Sequence, residues 1–402
     1  MKNILFYYDN YCGADSRGGT EVATFRIAHA LHDHHGWNVF NAFRNKTRAP
    51  GDSLYSATIK LGKGSGKFVS ALATFIKDHE IDVVVNMSRF FRHRLLEEAI
   101  GRSGRKVSLI FMQHFAPGSE WKKGSYKAGF HLLKFDPLNP LYWLRSSIYP
   151  LLKLPRRLSY PDAYRRVYEA SDRIVLLSEG YKPLYKEIGR LPDTLKFSSI
   201  PNVFDSGIDE KKREAVLQGK EKRVLILSRM DEVQKRLSLS LKIWKEIEKD
   251  HELQDWHLDI VGTGHDMKGM KRMAKKLGLK KVVFHGWQVP EEFLEKSSVL
   301  MMTSEYEGLP LSLMEAMAFG CVPVAFDSFA SLKDILHDGE NGVIVKDFGD
   351  IVVFSEKLKT LLKNDSLRNN MARGNKSMVD FSSESVGNRW NQMLMELSAK
   401  QS

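Results

Sequence analysis

The stretch VLMMTSEYEGLPLSLMEAMAFGCVPVAFD, residues 299–327, decides the fold. It opens with an apolar run typical of a buried strand and passes through a Gly-Leu-Pro turn into a helix that ends at Gly320. A second apolar run follows the helix. Strand, helix and strand in this order predict a βαβ unit of a parallel sheet.

The same alternation runs through the rest of the 402-residue chain. Strand patterns are KNILFYY, VFNAF, IDVVVNM, KVSLIFMQH and RIVLLS in the first half, and RVLILSRM, WHLDIVGTG, VVFHGW and GVIVKD in the second. Helical patterns lie between them, which predicts an α/β protein with two Rossmann-like, doubly wound parallel sheets. The stretch FSSIPNVFDSG ends the first pattern and places the domains at 1–205 and 206–382. We expect a last helix, about 383–402, to pack back on the first domain.

The composition is that of a globular protein. Hydrophobic residues make up 43% of the chain and charged residues 27%, and no apolar run approaches the ~20 residues of a membrane helix. The start, MKNILFYYDN, predicts a buried strand rather than an export signal, because its apolar run is short and contains Asp9. Cys12 and Cys321 lie far apart and in no metal-ligand spacing. We therefore predict a cytoplasmic protein.

The net charge of +12 is concentrated in one region. Residues 122–166 contain ten Lys and Arg and two acidic residues, Asp136 and Asp162. The aromatic, leucine-rich stretch 121–166 interrupts the alternation of the first domain, to which we assign it, and has the composition of an interfacial segment. Two interpretations stay open: peripheral contact with an anionic membrane surface, or a packed helical hairpin whose basic side chains are solvated.

Two glutamates flank the Gly-Leu-Pro turn of the opening stretch. Glu307 and Glu315 have seven residues between them, around the start of the helix. The amides and positive dipole end of a helix start suit a phosphate or a sugar hydroxyl, and a carboxylate suits the two hydroxyls of a ribose. We assign Glu315 to the ribose and Glu307 to the transferred sugar. An exposed helix start with two well-placed acidic residues is the alternative. The turn residues assigned to phosphate are Gly308, Leu309, Pro310 and Leu311.

This stretch resembles the E-x(7)-E motif of retaining glycosyltransferases of family 4, which have the two-domain GT-B fold with a central cleft. A second element agrees with it: SRMDEVQKRL, residues 228–237, is similar to the Arg…Lys element of that family. The resemblance implies that Arg229 and Lys235 bind the donor diphosphate, to which two cations are well matched. A solvated lysine at a helix start is the alternative for Lys235, although a cation there is unfavourable without an anion nearby.

The first domain carries two further similarities. GADSRGGTEVATF resembles the glycine loop of the family, which implies that Gly18 and Gly19 face the donor phosphates. His114 follows the strand pattern KVSLIFMQ at the position of the family histidine near the sugar. A packed polar residue at a strand end is the alternative for this histidine.

The resemblance covers nearly the whole chain. SSIPNVFD is similar to the Pro-Asn linker of the family, and LDIVGTG and VVFHGW are similar to its nucleotide-binding strand ends, which hold Gly262, Gly264 and Gly286. The departures from the family pattern concern loop shape and donor choice more than the class of reaction. They are Val203 for a glycine, Ser228 before Arg229, Arg236 for a glycine after Lys235, and Phe115 after His114.

The family reaction is a front-face substitution in which the leaving diphosphate helps to deprotonate the acceptor hydroxyl. The resemblance therefore implies a hexosyl- or N-acetylhexosaminyltransferase that needs no metal and no cofactor beyond its nucleotide-sugar. We expect a UDP-sugar donor, with a GDP-sugar as the alternative, and a saccharide or lipid-linked saccharide acceptor in lipopolysaccharide, capsule or exopolysaccharide synthesis. The histidine group His29, His32, His34 and His35 is interpreted as a frayed, solvated helix end rather than a metal site.

Four other functions are compared with the sequence motifs that each would require. A dinucleotide oxidoreductase lacks its fingerprint, because GTGHDMKG has Met267 where the third glycine belongs. A P-loop enzyme is excluded because LGKGSGKF has Leu61 and Phe68 at positions that need glycine and Ser or Thr. A nucleotide-sugar epimerase or hydrolase on the same fold stays open, as does a protein that only binds acidic surfaces; binding to nucleic acid is not expected.

Overall fold

The structure is a computed structural model that describes residues 2–16, 18–45, 53–123, 126–148, 159–374 and 376–399. The chain divides into two units. Unit 1 comprises Met1–Pro117, Leu158–Asp205 and Val379–Ser402, and unit 2 comprises Gly118–Arg157 and Ser206–Met378.

Unit 1 is built on one parallel sheet. Its strands are β1 (Asn3–Tyr7), β2 (Asn38–Phe43), β3 (Ala57–Lys60), β4 (Val83–Asn86), β5 (Ser108–Gln113), β6 (Arg173–Leu176) and β7 (Phe197–Ser199), in the spatial order β3-β2-β1-β4-β5-β6-β7. The central strands are apolar on both faces because helices cover both sides of a doubly wound sheet. The helices of the unit are Gly19–His35, Ser65–Asp78, Phe90–Ser103, Tyr160–Ala170, Tyr181–Gly189 and Ser383–Ala399, and the 3-10 helix Lys376–Phe381 precedes the last of them.

Unit 2 has a second parallel sheet. Its strands are β8 (Glu221–Leu227), β9 (His257–Val261), β10 (Val282–Gly286), β11 (Ser297–Met302), β12 (Val322–Phe326) and β13 (Val343–Val345), in the order β10-β9-β8-β11-β12-β13. Its α-helices are Ser119–Lys123, Tyr126–Phe135, Pro140–Ser147, Glu210–Gln218, Glu232–Lys235, Leu237–Glu248, Met267–Leu277, Pro290–Lys296, Leu311–Ala318, Ile351–Lys363 and Asp365–Arg373. Its 3-10 helices are His251–Leu253 and Ala330–Asp334. The opening stretch forms β11, helix Leu311–Ala318 and β12, and the two strands pair in parallel as predicted.

Two short strands are absent from the sequence-based prediction. Ala57–Lys60 is an edge strand with a largely half-exposed pattern, and Phe197–Ser199 lies in the stretch that the sequence indicated as a linker. Strands of three or four residues at a sheet edge are too short for a clear hydrophobic period.

The assignment of the basic insertion to the first domain was wrong. Its described part up to Ile148 belongs to unit 2, whereas residues from Ser159 onward start a helix of unit 1. The reason is a small apolar cluster in which Leu132 and Tyr142 pack on Val233, together with an ion pair between Asp136 and Arg272. The part of the insertion at 149–158 lies outside the described residues.

The last helix, Ser383–Ala399, packs against helix Gly19–His35 within unit 1. Trp37 Nε1 donates to Asn391 Oδ1 at 3.0 Å, and Trp390 is fully buried. The histidine-rich end of helix Gly19–His35 is therefore ordered by packing rather than frayed. It is capped by Gly36 in the left-handed conformation, with φ of 66°.

A buried histidine makes the stability of the protein depend on pH. His93 is 2% exposed, its Nδ1 lies 3.2 Å from Asn86 Nδ2, and its Nε2 lies 2.9 Å from Ser171 Oγ. Burial lowers the pKa of His93 to about 4. Between this value and the ordinary pKa near 6.5, the unfolded chain binds the proton first, so the free energy of unfolding falls as pH falls.

We expect this histidine to remove about 2.5 kcal/mol of stability between pH 7 and pH 4.5. Urea unfolding of the wild type and His93→Gln at both pH values measures it, since glutamine lacks the titration. Equal pH dependence in the two proteins would contradict the prediction.

Candidate functional site

The site predicted in the second domain lies at the carboxyl ends of two adjacent strands, β8 and β11, in the middle of the sheet of unit 2. The parallel pairing of these strands brings together the segments that follow them. Residues 228–236 follow β8, and residues 303–310 follow β11. In doubly wound sheets this edge is where ligands bind.

Lys235 and Glu307 form an ion pair at the centre of this edge. Lys235 Nζ lies 2.6 Å from Glu307 Oε1, and the two side chains are 13% and 7% exposed. Gln234 Nε2 donates to the other carboxylate oxygen at 3.1 Å. Glu307 is thus the anion that an enclosed lysine at this position requires, and the interpretation of Lys235 as a solvated lysine does not hold.

Arg229 stands at the rim of the same cluster. Its Nη2 donates to Gln234 Oε1 at 3.1 Å and lies 3.7 Å from Asp231, while 58% of its side chain is exposed. Gln234 therefore links Arg229 to Glu307, and the two predicted cations are connected through Gln234 and Glu307. The sequence reasoning missed Gln234, although it lies between the two cations in the motif.

Backbone contacts hold the two segments together. Glu305 N donates to Gln234 O at 2.8 Å, and Thr303 Oγ1 donates to Lys235 O at 3.0 Å. Arg236, which stands where the family has glycine, adopts a left-handed conformation with φ of 49°. This conformation costs a non-glycine residue about 1–2 kcal/mol. The guanidinium of Arg236 binds Glu305, with Nε at 2.6 Å from Oε2.

Helix Leu311–Ala318 begins directly after the turn that holds Glu307. Pro310 is its N-cap residue, and no side chain caps it. Gly308, Leu309 and Pro310 are buried, and Glu315 is half-buried in the second turn of the helix. An uncapped helix start has amide donors and a positive dipole end that favour an anion.

The glycines after β9 and at the end of β10 have a structural role in addition to the predicted one. A Cβ atom on Gly262 would lie 1.9 Å from Ser228 O, and one on Gly264 would lie 2.3 Å from Met230 O. Glycine is therefore required because the backbone of the Arg229 segment passes directly against it. Gly286 has φ of 74° and accepts from Gly262 N at 2.7 Å. Contact of these residues with a nucleotide stays a prediction.

The remaining predicted site residues lie in unit 1. Gly18 is the N-cap of helix Gly19–His35, and a Cβ atom on it would collide with the carboxylate of Glu21, whereas Gly19 has open space around it. His114 follows β5 directly and is half-buried, with Nε2 buried and without a hydrogen-bond partner among the described residues. Burial lowers the pKa of His114 to about 4, so the ring is neutral at neutral pH.

Tyr306 is a second residue that the sequence reasoning missed. It precedes Glu307 and is 2% exposed, and its hydroxyl has no hydrogen-bond partner within the described ranges. Burial raises the pKa of Tyr306 well above its ordinary value. The hydroxyl of Tyr306 is therefore neutral at neutral pH.

One group of side chains could hold a metal on distance alone. Ligand atoms of Asp231, His265 and Asp266 lie within 4.8 Å of one another. Both oxygens of Asp266 are already in use, since Oδ1 accepts from Tyr142 OH and Oδ2 accepts from Glu232 N at 2.6 Å. These hydrogen bonds suit a structural role in the loops better than a cation site. That the reaction needs no metal stays a prediction.

Residues 207–378 match the model of the family described as glycosyl transferases group 1. The chain is 28% identical over 231 residues to the amylovoran biosynthesis glycosyltransferase of Erwinia amylovora, covering 56% of this chain and 63% of the relative. It thus spans less than two thirds of that relative. It is also 25% identical over 386 residues, 94% of this chain and 96% of the relative, to an α-1,4-N-acetyl-D-galactosaminyltransferase of Campylobacter jejuni named for an undecaprenol-linked saccharide.

The fold matches a solved structure along nearly its whole length. The crystal structure of HepE of Anabaena in complex with UDP-glucose has a TM-score of 0.71, with 14% sequence identity, and covers 98% of this chain and 100% of the other. In the described ranges, no helix combines the length and apolar character needed to cross a membrane. The two parallel-sheet domains and the match to the HepE structure along nearly the whole chain show that the fold is GT-B.

Proposed function

We propose that the protein is a retaining glycosyltransferase that transfers a sugar from a UDP-sugar to a saccharide acceptor. The observation that carries the proposal is the cluster of Arg229, Gln234, Lys235 and Glu307 beside the uncapped start of helix Leu311–Ala318. Two cations joined in one group of contacts, with a helix that begins four residues after Glu307, suit a diphosphate. The buried carboxylate of Glu307 suits a sugar hydroxyl.

The choice of donor rests on relatives. The Anabaena structure contains UDP-glucose, and the Campylobacter relative is named as an N-acetylgalactosaminyltransferase. We therefore propose a UDP-hexose or a UDP-N-acetylhexosamine and keep a GDP-sugar as the alternative. Glu315, half-buried on the same helix, is proposed to bind the ribose.

The reaction is proposed to be a front-face substitution. The bond from the anomeric carbon to the diphosphate oxygen breaks, the acceptor oxygen bonds to the same face, and the acceptor proton passes to the departing diphosphate. Arg229 and Lys235 stabilise the negative charge of the leaving group in place of a metal. Glu307 orients the sugar, and an enzyme nucleophile is not required.

The acceptor is proposed to bind unit 1 and to belong to a lipid-linked surface saccharide. The name of the Campylobacter relative includes undecaprenol, and the Erwinia relative is named for biosynthesis of amylovoran. These names motivate the class of acceptor for this chain, in lipopolysaccharide, capsule or exopolysaccharide synthesis.

The insertion is proposed to contact the membrane that carries this acceptor. It exposes a group of large apolar side chains, namely Phe130, Leu138, Leu141, Trp143, Leu144 and Ile148. The surrounding sequence is strongly basic, and one of its two carboxylates, Asp136, is occupied by Arg272. Exposed apolar side chains with basic neighbours suit an anionic lipid surface.

Vesicle flotation tests this contact. We expect the protein to float with vesicles of anionic phospholipid at low salt. The double variant Leu141→Ser/Trp143→Ala is expected to bind roughly tenfold less well, because it lacks two exposed apolar side chains that are proposed to enter the lipid. The matched control is Leu195→Ser, which removes a leucine that is 81% exposed in unit 1. Equal flotation of all three proteins, or none by the wild type, would reject the contact.

The proposed reaction is tested by incubating the protein with a panel of UDP- and GDP-sugars and lipid-linked saccharides in excess EDTA. Free nucleotide is measured, and the new linkage is identified by mass spectrometry and NMR. We expect release of UDP that depends on the acceptor and a product with the anomeric configuration of the donor. An inverted linkage would refute retention, and an epimerised or hydrolysed donor without transfer would favour the alternative enzymes on this fold.

A further inference from the structure

Helices Ser119–Lys123, Tyr126–Phe135 and Pro140–Ser147 form what we name the support segment, residues 119–148 of unit 2. Residues 229–236, which hold both proposed diphosphate ligands, are named the donor segment. The two segments share a fully buried carboxylate, Glu232. His131 Nε2, from the support segment, lies 2.7 Å from Glu232 Oε1, and Ser238 N donates to Glu232 Oε2 at 2.9 Å.

A second polar contact of the support segment acts on Glu232 through Asp266. Tyr142, 2% exposed, donates its hydroxyl to Asp266 Oδ1. The other oxygen of Asp266 accepts from the backbone N–H of Glu232 at 2.6 Å. The support segment thus fixes the side chain of Glu232 directly and its backbone through Asp266.

Two further contacts of the support segment reach the donor segment or a residue that binds it. Leu132 and Tyr142 pack on Val233. Lys122 Nζ lies 3.5 Å from Glu305 Oε1, and Glu305 is the residue that binds the left-handed Arg236.

The donor segment is also held by Thr303 and Glu305 at its carboxyl end, but its own helix adds little stability. Its helix, Glu232–Lys235, has four residues, and a helix of that length is not stable alone. The helix is followed by Arg236, whose left-handed backbone conformation is unfavourable for residues other than glycine. The orientation of the donor segment nevertheless determines where Lys235 and Arg229 lie. The contacts that fix Glu232 therefore also fix the two cations.

We propose that the support segment holds the donor segment in its diphosphate-binding conformation, with His131 and Tyr142 as positioning residues. This inference rests on the proposed function, since it assigns the donor segment to the diphosphate. Neither residue is proposed to touch the donor. Each acts through Glu232.

The first test needs no ligand. Tyr142→Phe keeps the ring that packs on Val233 and removes only the hydroxyl. We expect hydrogen–deuterium exchange of the amides in 230–236 to be roughly tenfold faster in this variant. Asp266, which accepts from the backbone N–H of Glu232, loses its hydrogen bond from Tyr142. The matched control is Tyr168→Phe, which removes a Tyr–Asp hydrogen bond, to Asp193, in unit 1. Unchanged exchange in 230–236 would overturn the inference whatever the protein binds.

The second test uses UDP as the probe. We expect the Kd for UDP and the KM for the donor to rise roughly 5- to 20-fold in Tyr142→Phe and His131→Ala, with kcat within about twofold of wild type. His131→Gln keeps an N–H donor for Glu232 and is expected to restore most of the affinity. A fall in kcat at constant KM would indicate loss of folded enzyme and overturn the positioning role. Faster exchange in a protein whose wild type binds no nucleotide would instead overturn the proposed function.

Discussion

Replacing Lys235 by alanine is expected to lower kcat/KM for sugar transfer on the order of 100- to 1,000-fold. One lost charge-assisted contact with a diphosphate accounts for about 1.5–3 kcal/mol, which is roughly a tenfold to hundredfold effect. The variant also leaves the negative charge of Glu307, 7% exposed, without its lysine, and this charge then repels the donor. Steady-state kinetics with the preferred UDP-sugar measure the change.

The matched control is Lys242→Ala, which removes an exposed lysine from the neighbouring helix Leu237–Glu248. We expect its kcat/KM to stay within about twofold of wild type, because the diphosphate is not near an exposed face of that helix. If the two alanine variants were equally active, Lys235 would not be a diphosphate ligand.

Replacing Glu307 by glutamine is expected to lower kcat on the order of 100-fold while leaving the Kd for UDP unchanged or lower. The carboxylate is assigned to the transferred sugar, which UDP lacks, so transfer loses an oriented hydrogen bond to a charged group. At the same time Lys235 loses its anionic partner at 2.6 Å and becomes fully available to the diphosphate. The kinetics are compared with calorimetric titration of the same samples.

This split between catalysis and nucleotide binding distinguishes Glu307 from a residue that only stabilises the fold. A structural role would weaken UDP binding and transfer together and would lower the melting temperature. Glu340→Gln, which changes an exposed glutamate of unit 2, controls for the loss of one negative charge. A tenfold loss of UDP affinity in Glu307→Gln would contradict the assignment to the sugar.

The sequence predicts the sheets well, because strands that are covered on both faces appear as continuous apolar runs. The pairing of β11 with β12 around helix Leu311–Ala318 follows from such runs and from a turn with a proline at the helix start. The edge strands Ala57–Lys60 and Phe197–Ser199 are short and partly exposed, so they carry no comparable pattern.

The sequence indicates the charged residues of the candidate site but not the contacts between them. The pairing of Lys235 with Glu307 depends on the adjacency of β8 and β11, which local periodicity does not give. Gln234 and Tyr306 were missed because an amide and a phenol next to charged residues have no distinctive spacing. The insertion was placed in the wrong domain because its contacts, such as Tyr142 with Asp266, join positions far apart in the chain.

The measurement that tests the central claim most directly is calorimetric titration of the wild type and Lys235→Ala with UDP, GDP and NAD in excess EDTA. Diphosphate binding by the Arg229–Lys235 cluster predicts that UDP, or GDP, binds without metal, that NAD does not bind, and that the variant binds the nucleotide at least roughly tenfold more weakly. Three results would contradict diphosphate binding by this cluster: the wild type binds only NAD, it binds none of the three nucleotides, or both proteins bind UDP with equal affinity.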